Sequence, residues 1–317
     1  MKPTYPKISV IIITYNQEKL ISRAIDSVIN QKDYLHELII SDDCSKDKTW
    51  DVVKKYKEKF PGKIKVQRHK QNLGIYENLE STYHLVTGEI IFFLSGDDAM
   101  GEDLLKSTCE LLVNKEVDYK KDRFCVLTDY KVVYPDGREE VRNNNLVKKY
   151  DPFKLKLRGL IVNRALGLSS SILESMRKIN ISSLRKGDLP SSLQEGLFDQ
   201  LPYYFADKIY YISVIGNVYF KKTGISVLMN KQDSMKEINK NILDFCDKIP
   251  DYYDNLSTVD IKWLTFLRVK SEYFLEPILV RIFRYFINLI ILLKDPFRKY
   301  LWLKEVKIFI KNVYRLI

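Results

Sequence analysis

The chain has 317 residues, of which 45% are apolar, 12% aromatic and 29% charged, a mixture that excludes a disordered chain because disorder goes with few aromatics and little to bury. That length admits one large α/β domain or two smaller ones, with a core that needs no staples. The net charge is +11, but residues 261–317 hold 12 Lys and Arg against 4 Asp and Glu, a net of +8, so any anionic partner is one that this segment touches.

Four cysteines, Cys44, Cys109, Cys125 and Cys246, form neither a CxxC pair nor a dense scaffold, which points to reduced thiols in a cytoplasmic protein. The N-terminal MKPTYPKISVIIITYN has a short apolar run and no small-residue cleavage site, so it is read as a first strand and not as an export signal.

In chain order, KISVIIIT (7–14) is a β-branched run ended by the polar turn YNQE, the pattern of a strand buried on both faces. In EKLISRAIDSVINQ the apolar Leu20, Ile21, Ala24, Ile25, Val28 and Ile29 fall on one helical stripe. The unit then repeats: strand HELIISDD (36–43), turn CSKDKT, helix TWDVVKKYKEKF; strand KIKVQRH, turn KQNLG, helix IYENLESTYHLVTG; and strand EIIFFLSGDD. Strands alternating with single helices predict a parallel, doubly wound sheet with ligands at the carboxyl ends of its strands.

After about residue 115 the pattern loosens. FCVLTDYKVVY followed by PDGRE reads as a strand and turn, residues 140–190 as loop and short helix, KIYYISVIGNVYF (208–220) as a strand, and residues 226–317 as helical.

Four strand-end clusters converge on one crevice: Thr14, Tyr15, Asn16 and Glu18; Ser41, Asp42, Asp43 and Ser45; Asn72 and Gly74; and Asp97 with Asp98. Neither GxGxxG nor GxxxxGK[ST] occurs, which argues against a dinucleotide or P-loop enzyme. Carboxylates and amides instead suit hydrogen bonding to a base and ribose, and the holding of a hard divalent cation through oxygen.

YPKISVIIITYNQEKLISRAIDSVINQ, ELIISDDCSKDKTWDV, NLGIYEN and TGEIIFFLSGDD, in that order and spacing, resemble the nucleotide-sugar-binding half of the family 2 glycosyltransferases. The resemblance implies a GT-A fold, that is, a Rossmann-like, mostly parallel sheet flanked by helices, here with a helical C-terminal extension. It also implies a nucleotide pocket lined by Thr14, Tyr15, Asn16 and Glu18, with Asp42 or Asp43 meeting the base, commonly uracil. Asn72 and Gly74 then shape the floor, Ser95 and Gly96 join the nucleotide-binding set, and Asp97, with Asp98 beside it, holds Mn²⁺ or Mg²⁺. The family usually has D-x-D-D where this chain has Ser95-Gly96-Asp97-Asp98, so Ser95 is expected to reach the cation through water. Asp98 has an alternative task, capping a helix expected from about Glu102.

The acceptor half matches less closely. In SLQEGLFDQLPYYFADKIYYI, Glu195 falls on the first acid of the family's ED element and Gly196 on the second. Glu195 is therefore the expected general base, with Asp199, one helical turn on, as the fallback. In YFKKTGIS, Lys221 or Lys222 is placed to screen the diphosphate, unless the pair is only a solvated turn. His36, His69 and His84 have no metal-ligand spacing, and His69 at a strand end is at most a neighbour of the nucleotide.

The resemblance thus implies an inverting hexosyl- or N-acetylhexosaminyl-transferase that uses a nucleoside diphosphate sugar, UDP-linked, and builds a surface polysaccharide on a glycan or lipid-linked acceptor. The competing class, given Ser95 and Gly196, is a sugar-nucleotide-binding scaffold without catalysis. Residues 1–115 form the nucleotide-sugar half in this reading, 116–225 the acceptor half and 226–317 a basic amphipathic region. In that last region the longest uncharged run, YFINLIILL, has nine residues, about half of a membrane span. Basic residues beside an apolar, aromatic face fit an anionic membrane surface or a second subunit; nucleic acid would leave the apolar face unused. The expected place is the cytoplasmic face of the membrane.

Overall fold

The computed structural model describes residues 5–144, 166–178, 202, 206–221 and 243. The chain divides into two compact units, residues 1–230 and 231–317, and every element below belongs to the first. Glu195, Asp199, Lys222 and, but for residue 243, the helical region expected from residue 226 lie outside the described residues.

The first half follows the repeating pattern: β1 (Ile8–Thr14), α1 (Ile21–Ile29), β2 (Leu35–Asp42), α2 (Thr49–Lys59), β3 (Ile64–Arg68), α3 (Ile75–Glu80) and β4 (Ile90–Ser95). Alternate residues of β1 serve opposite faces, as the strand period requires. Ile8, Val10 and Ile12 pack with Ile21, Ala24, Ile25 and Val28 of α1. Ile11 packs with Leu79 and Tyr83 on the other side. A run without polar alternation is thus explained by burial on both faces.

Helix α3 is shorter than its apolar pattern, ending at Glu80 before a 3₁₀ turn at Tyr83–Leu85. The Ser81 and Thr82 hydroxyls donate to the carbonyls of Asn78 and Leu79, both at 2.6 Å. Such local bonds compete with helix continuation.

The second half comprises β5 (Ala99–Met100), α4 (Leu104–Asn114), β6 (Phe124–Val133), β7 (Glu139–Arg142), β8 (Leu166–Ser169), α5 (Ser170–Lys178) and β9 (Lys208–Phe220). The sheet order is β3-β2-β1-β4-β8-β6-β9-β5, with β7 also paired to β6. Strands β1 to β4 pair in parallel, as expected. Beyond β4 the sheet is mixed: β8 runs antiparallel to β4 and β6, and β5 antiparallel to β9, while β6 and β9 are parallel.

The sequence reading missed β8, placing loop and short helix there. It is a four-residue LGLS with no alternation, and its glycine is required by packing. Gly167 lies opposite Phe92 in register, where an added Cβ would stand 2.5 Å from the ring.

Two features tie the halves together. Buried Gln31, just past α1, donates to the carbonyl of Gly101 (2.9 Å) and accepts from the Leu105 N–H (3.0 Å). Gly101 itself lies against β9: its N–H donates to Gly216 O (3.1 Å), and a Cβ there would stand 1.6 Å from the Ile215 carbonyl oxygen. Strand β9 bulges at this point, its partners stepping from Thr128↔Ile212 to Asp129↔Ile215 and Tyr130↔Asn217. Bulges re-aim side chains, and here Asn217 and Tyr219 both reach the cleft described next.

Candidate active site at the strand ends

The turns after β1 and β2 clasp each other. Asn16, at φ 53°, donates its N–H to Ser45 Oγ (2.9 Å) and accepts the Lys46 N–H on Oδ1 (2.7 Å). Gln17 donates its N–H to Thr49 Oγ1 (2.7 Å). Glu18 donates its N–H to Asp47 Oδ2 (3.0 Å) and accepts the Lys48 N–H (2.9 Å). Burial pushes the Asp47 carboxyl up, but bonds from the Thr49 hydroxyl and N–H and from Glu18 hold it below its ordinary value. Asn16 and Glu18 therefore serve the clasp at the start of α2, and neither borders the cleft.

The adjacent acids at the end of β2 have different surroundings. Asp42 is fully buried, accepting the Ser45 N–H (3.2 Å) and hydroxyl and pairing with Arg68 Nε (3.1 Å). Asp43 accepts the N–H groups of Leu73 (2.7 Å) and Gly74 (2.9 Å) and takes part in the cleft wall. Burial pushes the Asp43 carboxyl above its ordinary range, against the pull of those two donors. Gly74, at φ +83°, adopts a backbone that side-chain-bearing residues avoid. Of the two acids that the sequence left open for the base, Asp43 borders the cleft.

The turn after β4 carries the acid pair. Gly96 donates its N–H to Ile13 O (3.0 Å), and a Cβ there would meet Gln17 Oε1 at 2.3 Å and Thr14 Oγ1 at 2.9 Å. A side chain at this position would have to displace the ends of Gln17 and Thr14. The Ser95 hydroxyl donates to Asp97 Oδ1 (2.5 Å), while Asp98 Oδ1 accepts the Phe220 N–H (3.2 Å). The capping alternative for Asp98 is corrected: β5 intervenes, and Asp103 occupies the N-cap of α4. Arg23 of α1 comes up behind the turn, donating from Nη2 to the Asp97 carbonyl and stacking 3.4 Å from the Phe220 ring centroid.

These three turns and the loop after β3 surround a cleft of about 560 Å³. One wall holds Thr14, Tyr15, Asp43, Asn72 and Gly74; another Ser95, Asp97 and Asp98; Asn217 and Tyr219 of β9 close it; and Ile11, Ile13, Phe93 and Leu79 contribute apolar surface. Gly96 is not part of the wall. Lys221 is not in the wall: its ammonium lies 4.6 Å from the Tyr134 ring centroid. His69 belongs to a polar cluster with Gln67 (3.1 Å) and Ser81 (3.0 Å). That cluster backs Asn78, which takes the Ser41 hydroxyl at 2.5 Å.

Arg23, Asn217 and Tyr219 were missed from sequence. Asn217 carried a faint signal, an amide inside the otherwise apolar VIGNVYF; Arg23 looked like the charged face of an amphipathic helix.

Among the described residues no group of three or more His, Cys, Asp or Glu side chains is placed to hold a metal. The donors at the acid turn are nonetheless all oxygen: two carboxylates and a hydroxyl. That set fits a hard cation whose remaining positions are filled by phosphate and water.

The comparisons with known proteins agree with this architecture. The family described as glycosyl transferase family 2 matches residues 9–157, just under half of the chain. Two relatives are the poly(ribitol-phosphate) beta-glucosyltransferase of Bacillus spizizenii, 35% identical over 31% of this chain and 16% of its own, and the putative teichuronic acid biosynthesis glycosyltransferase TuaG of Bacillus subtilis, 31% identical over 42% and 50%. The chain thus spans half or less of the length of these relatives. Among solved structures, S. aureus TarS 1-349 in complex with UDP-GlcNAc superposes with a TM-score of 0.59 at 21% identity, covering 84% of this chain and 72% of its own. The mannosyltransferase PcManGT from Pyrobaculum calidifontis, in complex with GDP-Man and Mn²⁺, gives 0.50 at 15% identity over 99% and 89%. The shared fold is GT-A.

Proposed function

We propose that the protein is a glycosyltransferase that moves a sugar, with inversion, from a UDP-linked donor to a glycan or lipid-linked glycan acceptor in surface polysaccharide synthesis. The observation that carries this reading is the cleft at the ends of β1, β2, β3 and β4, which gathers Asp43, Asn72, Gly74, Asp97 and Asp98 beside Thr14 and Tyr15.

In this reading Asp43 accepts from a ring N–H of the base. Two backbone donors fix its orientation, and a carboxylate retains lone pairs beyond those two bonds. Tyr15 offers a ring face and Asn72 an amide to the nucleoside. Asp97 and Asp98 hold Mn²⁺ or Mg²⁺, with Ser95 orienting Asp97. When bound, the cation offsets the charge that develops on the diphosphate. Glu195, or Asp199 in its place, takes the proton of the acceptor hydroxyl, while Lys222, and not Lys221 with its ammonium at Tyr134, screens the diphosphate. UDP is supported by the complex reported for TarS and by the pocket around Asp43, and a surface polymer by the names of the bacillar relatives.

Residues 1–115 and 116–225 then act as donor and acceptor halves, and residues 261–317 dock on an anionic membrane surface or a second subunit. No helix among the described residues is long and apolar enough to cross a membrane. Incubation with a panel of UDP- and GDP-sugars and Mn²⁺, with release of the nucleotide as readout, tests the core of this reading. Slow release of UDP supports it; nucleotide binding with no turnover on any sugar or acceptor supports a scaffold instead.

A further inference from the structure

Two adjacent carboxylates at the end of a buried strand repel each other, and the groups around them show what offsets this. Among the described residues, the Ser95 hydroxyl and the Phe220 N–H each donate to one of them, but neither brings charge. Arg23 does. Its Nη2 donates to the Asp97 carbonyl, its guanidinium lies 3.4 Å over the Phe220 ring, and Asp98 and Asp97 both act on it electrostatically against the effect of its burial. Its Nε is buried without a hydrogen-bond partner.

We propose that Arg23 is the built-in counter-charge of the acid turn, and that it makes retention of a divalent cation at Asp97 and Asp98 depend on a diphosphate. The inference rests on the donor-site reading above. Among the described residues, a cation arriving alone meets the positive guanidinium and two carboxylates. A cation arriving with a diphosphate brings oxygen ligands with it, and its net negative complex is attracted by the same guanidinium. Coupling of this kind is reciprocal, so the cation tightens the nucleotide as the nucleotide tightens the cation. Arg23 does not touch the cleft and is a positioning residue.

The test is Mn²⁺ binding followed by electron paramagnetic resonance, with and without UDP, on the full chain. Thermal unfolding in EDTA serves as the control for folding. The wild type is expected to hold Mn²⁺ at least about tenfold more tightly when UDP is present, as a like charge close to the site implies. Arg23→Gln is expected to bind Mn²⁺ alone about three- to tenfold more tightly than the wild type, shrinking the UDP effect. Arg23→Lys, which keeps the charge and loses the planar stack, is expected to keep the wild-type pattern. A folded Arg23→Gln protein whose Mn²⁺ affinity is unchanged or weaker overturns the counter-charge, and so does a wild type that holds Mn²⁺ equally well without UDP, an arm that stands even where the variant does not fold. A wild type that binds no Mn²⁺ even with UDP overturns the donor-site reading itself, and this inference with it.

Discussion

The two halves of the sheet are held by different kinds of contact. From β3 to β4 the strands are parallel, and the site-forming turns are fastened to the next βα unit, as when Asn16 and Glu18 meet Ser45, Asp47 and Lys48 or Asp43 meets Leu73 and Gly74. The acid turn is fastened across the chain: Arg23 to Asp97, 74 residues apart, and Asp98 to Phe220, 122 apart. The base-facing wall can therefore form from a local repeat. The cation-facing wall exists only once α1 and β9 have both docked.

This contrast predicts that substitutions on the acid side separate chemistry from stability most sharply at Asp97. Asp97→Ala is expected to lower sugar transfer by about a thousandfold, the scale of removing a stabiliser of transition-state charge, with the melting temperature in EDTA little changed. Activity near the wild-type level would remove Asp97 from the proposed machinery.

Gly101 tests the docking of β9 itself. A Cβ 1.6 Å from a backbone oxygen cannot be accommodated by a rotamer change, so Gly101→Ala must push β5 away from β9. The expected loss is about 3 kcal/mol, at the upper end for overpacking, read from urea unfolding. Loss of UDP-dependent Mn²⁺ binding in the remaining folded fraction is expected alongside, because Phe220 would no longer reach Asp98.

That difference in wiring also explains what the sequence revealed. β1, α1 and β2 were legible because burial on both faces writes uninterrupted apolar runs, and the buried stripe of α1 repeats with the helical period. Asp43, Asn72, Asp97 and Asp98 stood out because polar residues directly follow such strands. β8 was hidden because its defining feature, the fit of Gly167 against Phe92, links residues 75 positions apart and leaves only a glycine behind. The division of labour between Asp42 and Asp43 was hidden for a similar reason: it depends on Arg68 reaching one and the Gly74 backbone reaching the other. Nothing in the spacing of α1 distinguishes Arg23 from a solvated charge.

At the opposite, amino-terminal edge of the parallel half, Glu37 offers a pH-dependent probe that leaves the cleft alone. Burial raises its carboxyl, but bonds from Lys65, Ser9 and Thr87 more than offset this and hold it below its ordinary value. A depressed carboxyl contributes stability above its unfolded-state pKa, and that contribution is lost as pH falls through the folded-state value. Glu37→Gln is therefore expected to lower stability by about 1–2 kcal/mol at neutral pH. The gap to the wild type should close as pH drops below the ordinary value of 4.5. Urea midpoints measured across pH would show it; a gap independent of pH would assign Glu37 a purely steric role.

The smallest effect expected is at Asn16, where the resemblance and the geometry make different claims. The family pattern implies a residue of the nucleotide pocket, whereas the side chain here caps Lys46 N–H from outside the cleft, at a φ of 53° that suits asparagine or glycine. Asn16→Gly keeps the backbone conformation and removes one bond, for an expected loss of about 0.5 kcal/mol, while Asn16→Ala adds left-handed strain, bringing the loss to about 1.5 kcal/mol. If the clasp is its whole role, both variants keep the wild-type KM for the nucleotide sugar. A raised KM in the glycine variant, whose backbone is unstrained, would instead mean that the amide reaches the nucleotide when the donor is bound, and the clasp and the pocket would then share that side chain.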